Sequence, residues 1–273
     1  MIISYKAWDR VALFAATALC LSACATAAPD RSGFLSGYDG LKDSERRGRA
    51  EIREFRDPAA LGVVQRVALA PTVLAAGADA TSPLSPEERV ALLREVDAQL
   101  CFELSERFEI VAAATADAEV RAAITWFTPT GRVASVASAA SGFVIPGPIG
   151  LRLPGTLGGL GMEAEMRAAA DQKQIAAVAW ARKATAVGTD SPSLSRLGDA
   201  LQFAEPFADK AAAVMTPDGH KSQRVAAKTD PCRDYGDRFQ PGSRVAGIIT
   251  NLYIPDSRRR GGEPAATPPP KPQ

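Results

Sequence analysis

The chain is poor in the residues from which most catalytic and metal sites are built. A single histidine, His220, occurs in 273 residues. One imidazole cannot form a multi-histidine metal site, and it leaves a Ser-His-Asp triad only one possible base. No G-x-S-x-G element supplies a serine elbow. There is no Walker loop and no G-x-G-x-x-G dinucleotide fingerprint. Neither sign of charge dominates: 32 Lys and Arg against 31 Asp and Glu give a formal net charge of +1. Such a balance carries no basic footprint for nucleic acid and no polybasic patch for an anionic membrane surface. What is present is ordinary globular composition, 46% hydrophobic and 23% charged. That excludes a disordered chain and a polytopic membrane protein.

The N-terminus reads as an address. Lys6 and Arg10 precede the apolar run Val11 to Leu21. The run is shorter than the about 20 apolar residues a membrane-spanning helix needs. Leu21-Ser22-Ala23-Cys24 follows. It resembles the bacterial lipobox, which implies cleavage before Cys24 and acylation of that cysteine. Three acyl chains exceed the two-signal threshold for stable anchoring. Ala25 follows the cysteine in place of the aspartate that resembles inner-membrane retention. The expected location is therefore the inner leaflet of the outer membrane, facing the periplasm. Residues 1–23 are read as signal peptide and 24–60 as lipidated tether and connector. Residues 61–255 are read as one periplasmic domain, and 256–273 as a disordered tail.

Cleavage leaves Cys101 and Cys232 besides the lipidated Cys24. An even pair in an oxidising compartment is a disulfide candidate. Two buried free thiols are the alternative, because sequence does not give the Cα separation a bridge requires.

Gly33-Phe34-Leu35-Ser36-Gly37-Tyr38-Asp39-Gly40-Leu41 sets aromatics among glycines. Phe34, Leu35, Tyr38 and Leu41 are placed to pin the tether to the domain surface. The charge-rich stretch 42–60 reads as a solvated connector or short helix. Arg66 to Pro71 reads as a strand. Ser85-Pro86-Glu87-Glu88 is a strong helix start: an N-cap, a proline at the first helical position and a capping box. Val90, Leu93, Val96, Leu100 and Leu104 then recur at helical spacing. Residues 119–127 alternate, placing Val120, Ala122, Ile124 and Trp126 on one strand face. Glu163–Ala170 and Ile175–Lys183 form a hairpin whose many alanines suit close packing under a helix. Leu197, Leu201, Phe207, Ala211 and Met215 trace that helix, with a kink expected near Pro206. Val245–Ile254 is one more apolar segment, read as a strand. The end, with Pro268-Pro269-Pro270, cannot bury a core. This order favours an α+β fold, a mixed sheet with helices on one face.

Gly33 to Tyr38 just after the lipobox, Val67-Ala68-Leu69-Ala70-Pro71, Glu163-Ala164-Glu165-Met166 after a glycine-rich insert, and the alanine-rich helix at about 199–215 occur in a telling order. In that order they resemble the bacterial lipoprotein family known as domain of unknown function three-three-one-three. Phe203 and Phe207 stand where the family's helix often carries tryptophan. The extension after about residue 216 lies outside the pattern. The resemblance implies a lipid-anchored envelope protein and implies no reaction.

Candidate chemistry is sparse. Glu163 and Glu165 share one strand face and could act as acid and base or hold a cation. A solvated face with Arg167 as charge partner is the commoner outcome. Asp218-Gly219-His220 could set an imidazole beside a carboxylate, though turn chemistry explains it as well. Gly155 and Gly159 meet a G-x-x-x-G spacing, but a flexible loop accounts for them better. Trp126 and Trp180 read as core. The anomaly is 142–160, where Phe143, Val144, Ile145, Ile149, Leu151, Leu153, Leu157 and Leu160 collect among glycines and prolines. Long apolar loops either cover a core or touch a ligand, partner or membrane. Phe143, Ile145, Ile149 and Leu153 are the candidate binding residues.

The function expected from all this is a non-enzymatic lipoprotein without a cofactor. It would be bound to the membrane through its anchor and would engage another envelope protein or polymer, not nucleic acid. A carrier of a small apolar ligand, held between the sheet and the 142–160 loop, is the alternative.

Overall fold

A computed structural model describes residues 29, 31–44, 49–81, 83–131, 150–151, 157–185, 187–188, 195–220, 230–236 and 238. In chain order its elements are β1 (Lys42–Asp43), β2 (Glu51–Arg56), α1 (Pro58–Leu61), β3 (Arg66–Leu69), β4 (Val73–Leu74), α2 (Ala76–Thr81) and α3 (Pro86–Ser105). They continue with β5 (Glu109–Ile110), β6 (Ala118–Thr128), β7 (Gly150–Leu151), β8 (Gly159–Ala168), β9 (Gln174–Lys183), β10 (Val187–Gly188) and α4 (Gly198–Met215). The fold is α+β.

Eight strands form the main sheet. Its order is β1-β2-β9-β8-β6-β3-β5, with β4 paired to β6 beyond β3. The left half, from β1 to β6, is antiparallel, while β3 lies parallel to both β6 and β5. α3 makes the crossover between the parallel strands β3 and β5, as parallel pairing requires. β7 and β10 make a separate two-stranded ladder.

The inner face is apolar and carries α3 and α4. Val67, Val120, Ala122, Ile124, Met162, Ala164, Met166, Val178 and Trp180 point into this core. α4 packs on α3 as well as on β8 and β9, and its small residues Ala200, Ala204, Ala208, Ala211 and Ala212 are all buried. Phe203 and Phe207 meet Trp180 edge-on, with ring centroids 6.3 and 5.9 Å away. Edge-to-face pairs of this kind add about 0.5–1.5 kcal/mol beyond their burial. Pro206 lies within α4, and the helix runs on past it to Met215.

α3 starts as its sequence dictates. Ser85 accepts a hydrogen bond from the Glu88 amide, and Glu88 reaches back to the Ser85 amide. Its buried stripe differs from the expected one. Leu92, Val96, Leu100 and Leu104 are buried, whereas Val90 is 61% exposed. Glu95, Asp97 and Gln99 are buried as well. α3 is covered on a second side by Thr72 and by residues 230–236 and Arg238, so simple amphipathicity does not describe it.

Two further expectations are corrected. Within the stretch 42–60, residues 51–56 are not a solvated connector: β2 runs beside β9 for six residues, pairing Ile52 with Trp180, and a short helix, α1, forms only at the end of the stretch. Ile52 is buried in the core, and the charged residues of β2 that share its face are matched across it. Glu54 pairs with Lys210, and Arg56 binds the Thr216 carbonyl and Asp218. Trp126 does not share the face of Ile124. The register with β8 shifts between them, so Ile124 opposes Met162 while Trp126 opposes Gly161. A bulge of this kind turns every later side chain over. Trp126 goes to the outer face, half-buried, and Phe127 takes its place against the core.

Candidate functional site

The outer face of the sheet is crossed by residues 31–41, which form a strap. Its apolar footing is Leu35 and Leu41, buried on Ala177 and Ala179 of β9 with Phe34, Tyr38 and Phe55 around them. Alanines are needed there, since they leave a shallow trough into which the strap settles. The polar footing is two carboxylates. Glu163 and Glu165 of β8 are both fully buried. The solvated face expected for them is absent because the strap occupies it.

Each carboxylate is filled with donors. Glu163 accepts from the Ser32 amide at 3.3 Å, the Ser32 hydroxyl at 2.5 Å and the Tyr38 hydroxyl at 2.8 Å. Glu165 accepts from the Ser36 amide at 2.7 Å and the Ser36 hydroxyl at 2.8 Å. It also accepts from Arg121 Nε at 2.6 Å and Gln174 Nε2 at 2.6 Å. Arg167 lies 3.8 Å from Glu165, but its closer partner is Glu119 at 2.7 Å. Arg121 continues to the strap, donating to the Phe34 carbonyl at 2.9 Å and lying over the Phe34 ring at 4.7 Å. Burial alone would push the Glu165 carboxyl up. The donors from Ser36, Gln174 and Arg121 outweigh that and hold it below its ordinary value. A carboxylate so saturated holds a segment in place.

Beside the strap on the same face lies Trp126. A Cβ on Gly159 or Gly161 would fall 2.5 or 2.0 Å from indole atoms, so both glycines are required for the ring to lie flat on β8. These glycines belong to a paired strand, not to a flexible loop. Gly155 lies outside the described residues.

A third construction holds the roots of the segment between β6 and β8. Asp199, buried in the first turn of α4, accepts from the Thr130 hydroxyl at 3.0 Å and the Gly158 amide at 2.8 Å. Its own amide donates to Thr130 Oγ1 at 3.1 Å. The exit from β6 and the entry to β8 are thus tied to one carboxylate. Of the apolar residues singled out in 142–160, Leu160 is buried in the core and Leu157 packs against it. Leu151 lies in β7. Phe143, Ile145, Ile149 and Leu153 lie outside the described residues, as do Cys24, the expected strand Val245–Ile254 and the tail 256–273.

At the far end, Cys101 of α3 and Cys232 form a disulfide with Cα atoms 5.7 Å apart. The bonded segment is held further by Arg94, which donates to the Tyr235 carbonyl, and by Arg238, stacked 3.4 Å from the Phe102 ring centre. His220 stacks on Phe108 at 6.2 Å. The two rings line a concavity of about 630 Å³ together with Gln65, Glu106, Arg107 and Asp218. Asp218 turns to Arg56 at 2.9 Å, and the His220 amide closes a turn on the Pro217 carbonyl.

Sequence reasoning singled out the two glutamates but missed their partners Ser32, Ser36, Arg121 and Gln174. The available signal was the pairing of two carboxylates with alanine, glycine and methionine neighbours, an environment too apolar for solvent. It also missed the Thr130–Gly158–Asp199 tie, for which spacing gives no signal.

A protein family described as "Protein of unknown function (DUF3313)" has a sequence model that matches residues 30–211. The match runs from the strap into the last turns of α4 and leaves out the disulfide-bonded segment. A search of the curated proteins finds no match. Among solved structures, the PelC dodecamer from Paraburkholderia phytofirmans is similar at 11% identity and a TM-score of 0.37. That likeness covers 62% of this chain and 98% of that one. A single-substitution variant of the same dodecamer is similar at 9% identity with the same coverage and TM-score. Likeness of this degree bears on neither function nor assembly.

Proposed function

This chain belongs to the DUF3313 family, and we propose that it is a lipid-anchored periplasmic protein of the outer membrane that binds another envelope component and catalyses no reaction. The observation that carries the proposal is the strap. Eight residues after the lipobox cysteine Cys24, Ser32 is fixed to a buried glutamate in the middle of the sheet. An acyl group on Cys24 would therefore be joined to a rigid body by a short tether. The donors around Glu163 and Glu165 leave these carboxylates no vacant role in proton transfer.

The binding surface proposed is the 142–160 segment, through Phe143, Ile145, Ile149 and Leu153, with an envelope protein or polymer as partner. Its support is the Asp199 tie, which gives the segment a fixed base at Thr130 and Gly158. The decisive experiment is in-vivo crosslinking of the lipidated protein, paired with mass spectrometry of its N-terminus. An acylated Cys24 and a reproducible crosslinked partner are expected. Substituting Ile145, Ile149 and Leu153 together with serine should abolish the crosslink and leave thermal stability near that of the parent. An unmodified N-terminus refutes the anchor. A triple variant several kcal/mol less stable shows these side chains to be core and refutes the binding surface.

A further inference from the structure

We infer that the strap-covered face of the sheet is the face this protein turns toward the phospholipid headgroups of the leaflet that anchors it, with α3, α4 and the disulfide-bonded segment pointing away. The inference rests on the proposed acylation of Cys24 and adds to it an orientation. Its basis is the place where the tether leaves the domain. Ser32 is bound to Glu163, which lies in the middle of β8, and β8 has three strands on either side in the sheet. The tether thus starts near the centre of the outer face, not at an edge.

Chain length then decides. Seven residues lie between Cys24 and Ser32, eight Cα steps in all, so a fully extended tether reaches at most about 29 Å. To bring the helix face to the bilayer it would first have to run about 14 Å sideways past three strands. It would then have to descend about 15 Å past the sheet and the helix layer. That total already equals or exceeds the full reach, with no slack left for chain entropy. Placing the outer face against the headgroups needs none of this detour.

The chemistry of the face agrees. Arg31 lies over the Tyr38 ring at 5.7 Å with its side chain 57% exposed, and Arg121 lies over Phe34. Lys42 is exposed nearby. Aromatic rings with long cationic side chains suit the headgroup region, where one end is apolar and the other wet. The acids Asp39 and Asp43 are exposed on the same strap and strand, so the contact is set by the tether and not by attraction to anionic lipid.

The test uses the full lipidated protein in vesicles of phosphatidylethanolamine with a minority of phosphatidylglycerol, doped with a headgroup-nitroxide lipid. A fluorophore is placed on Asp39→Cys in the strap or on Val90→Cys in α3. Both side chains are solvent-exposed, and the native Cys101 and Cys232 are bonded to each other. The expected result is quenching several-fold stronger at residue 39 than at residue 90. A flexible glycine–serine insert after Ala25, doubling the tether or more, should erase the difference. Equal quenching at the two positions without the insert, or stronger quenching at residue 90, overturns the orientation when mass spectrometry shows Cys24 acylated in the same sample. If Cys24 carries no acyl group, the anchor itself is refuted and the orientation falls with it.

Discussion

Glu165 shows how a buried charge becomes tolerable: four hydrogen bonds from Ser36, Arg121 and Gln174 replace the water it has lost. Replacing it with glutamine keeps the shape but removes the charge and sets a second donor against donors. Glu165→Gln should lower stability by about 2–3 kcal/mol, measured by urea denaturation. The same residue sets a pH dependence. Its folded pKa lies below the unfolded value of about 4.3, so its stabilisation is present above that value. It is lost as pH falls through the lower folded value. Asp117 behaves alike: the Arg66 side chain and the Arg66 and Gln65 amides bring it down to about 2. Acid titration of unfolding should therefore show stability falling below about pH 4.5, and Glu165→Gln should flatten that slope. A slope unchanged in the variant would assign it to other carboxylates. The outer-face indole gives a separate test. A methyl group at residue 161 would meet Trp126, so Gly161→Ala should cost about 1–3 kcal/mol. It should also shift tryptophan emission as the ring lifts from β8, while the buried Trp180 stays put.

Among the elements, those with local rules were readable and those made by distant partners were not. α3 was legible from its capping box, and the β8–β9 hairpin from its many small residues, because both signals lie within about ten residues. β2 was not, because charges interrupt its pattern and the groups that neutralise them, Lys210 and Asp218, lie more than 150 residues away. The bulge that turns Trp126 over leaves no mark in composition, since Thr125 suits a regular strand as well as an irregular one. The strap was half legible: its aromatic residues were, its serines and their glutamates were not. The disulfide belongs to this scale, as it clips one segment to one helix. Its 131-residue separation gives roughly 5 kcal/mol in the chain-entropy model, an upper figure. Cys232→Ser should lower the unfolding free energy by about 2–4 kcal/mol. It should also raise the exchange rate of the Tyr235 region while leaving β8 and β9 protected. Full stability in the variant would mean that Arg94 and Arg238 alone hold the segment.

At the scale of the whole molecule, one face of the sheet carries the helices, and the other is covered over β8 and β9 by the eleven residues of the strap. Truncation separates the tether from the strap. A soluble form beginning at residue 31 should melt like one beginning at residue 25. A form beginning at residue 42 should lose several degrees, because Leu35 and Leu41 leave the alanine trough and two carboxylates lose their Ser32, Ser36 and Tyr38 donors. Calorimetry of the three forms decides it, and equal melting would make the strap a passive cover.

The strap also sets an order of events in time. Ser32 and Ser36 are made early, yet their glutamates follow 131 and 129 residues later. Closing so long a loop is slow compared with forming α3 or the β8–β9 hairpin. The first part of the domain to be synthesised is therefore the last to dock, and the outer face stays open while the helix side assembles. In pulse-labelled refolding, the amides of β8 and β9 should gain protection before the Ser36 amide. Simultaneous protection would show the strap to be part of the folding nucleus.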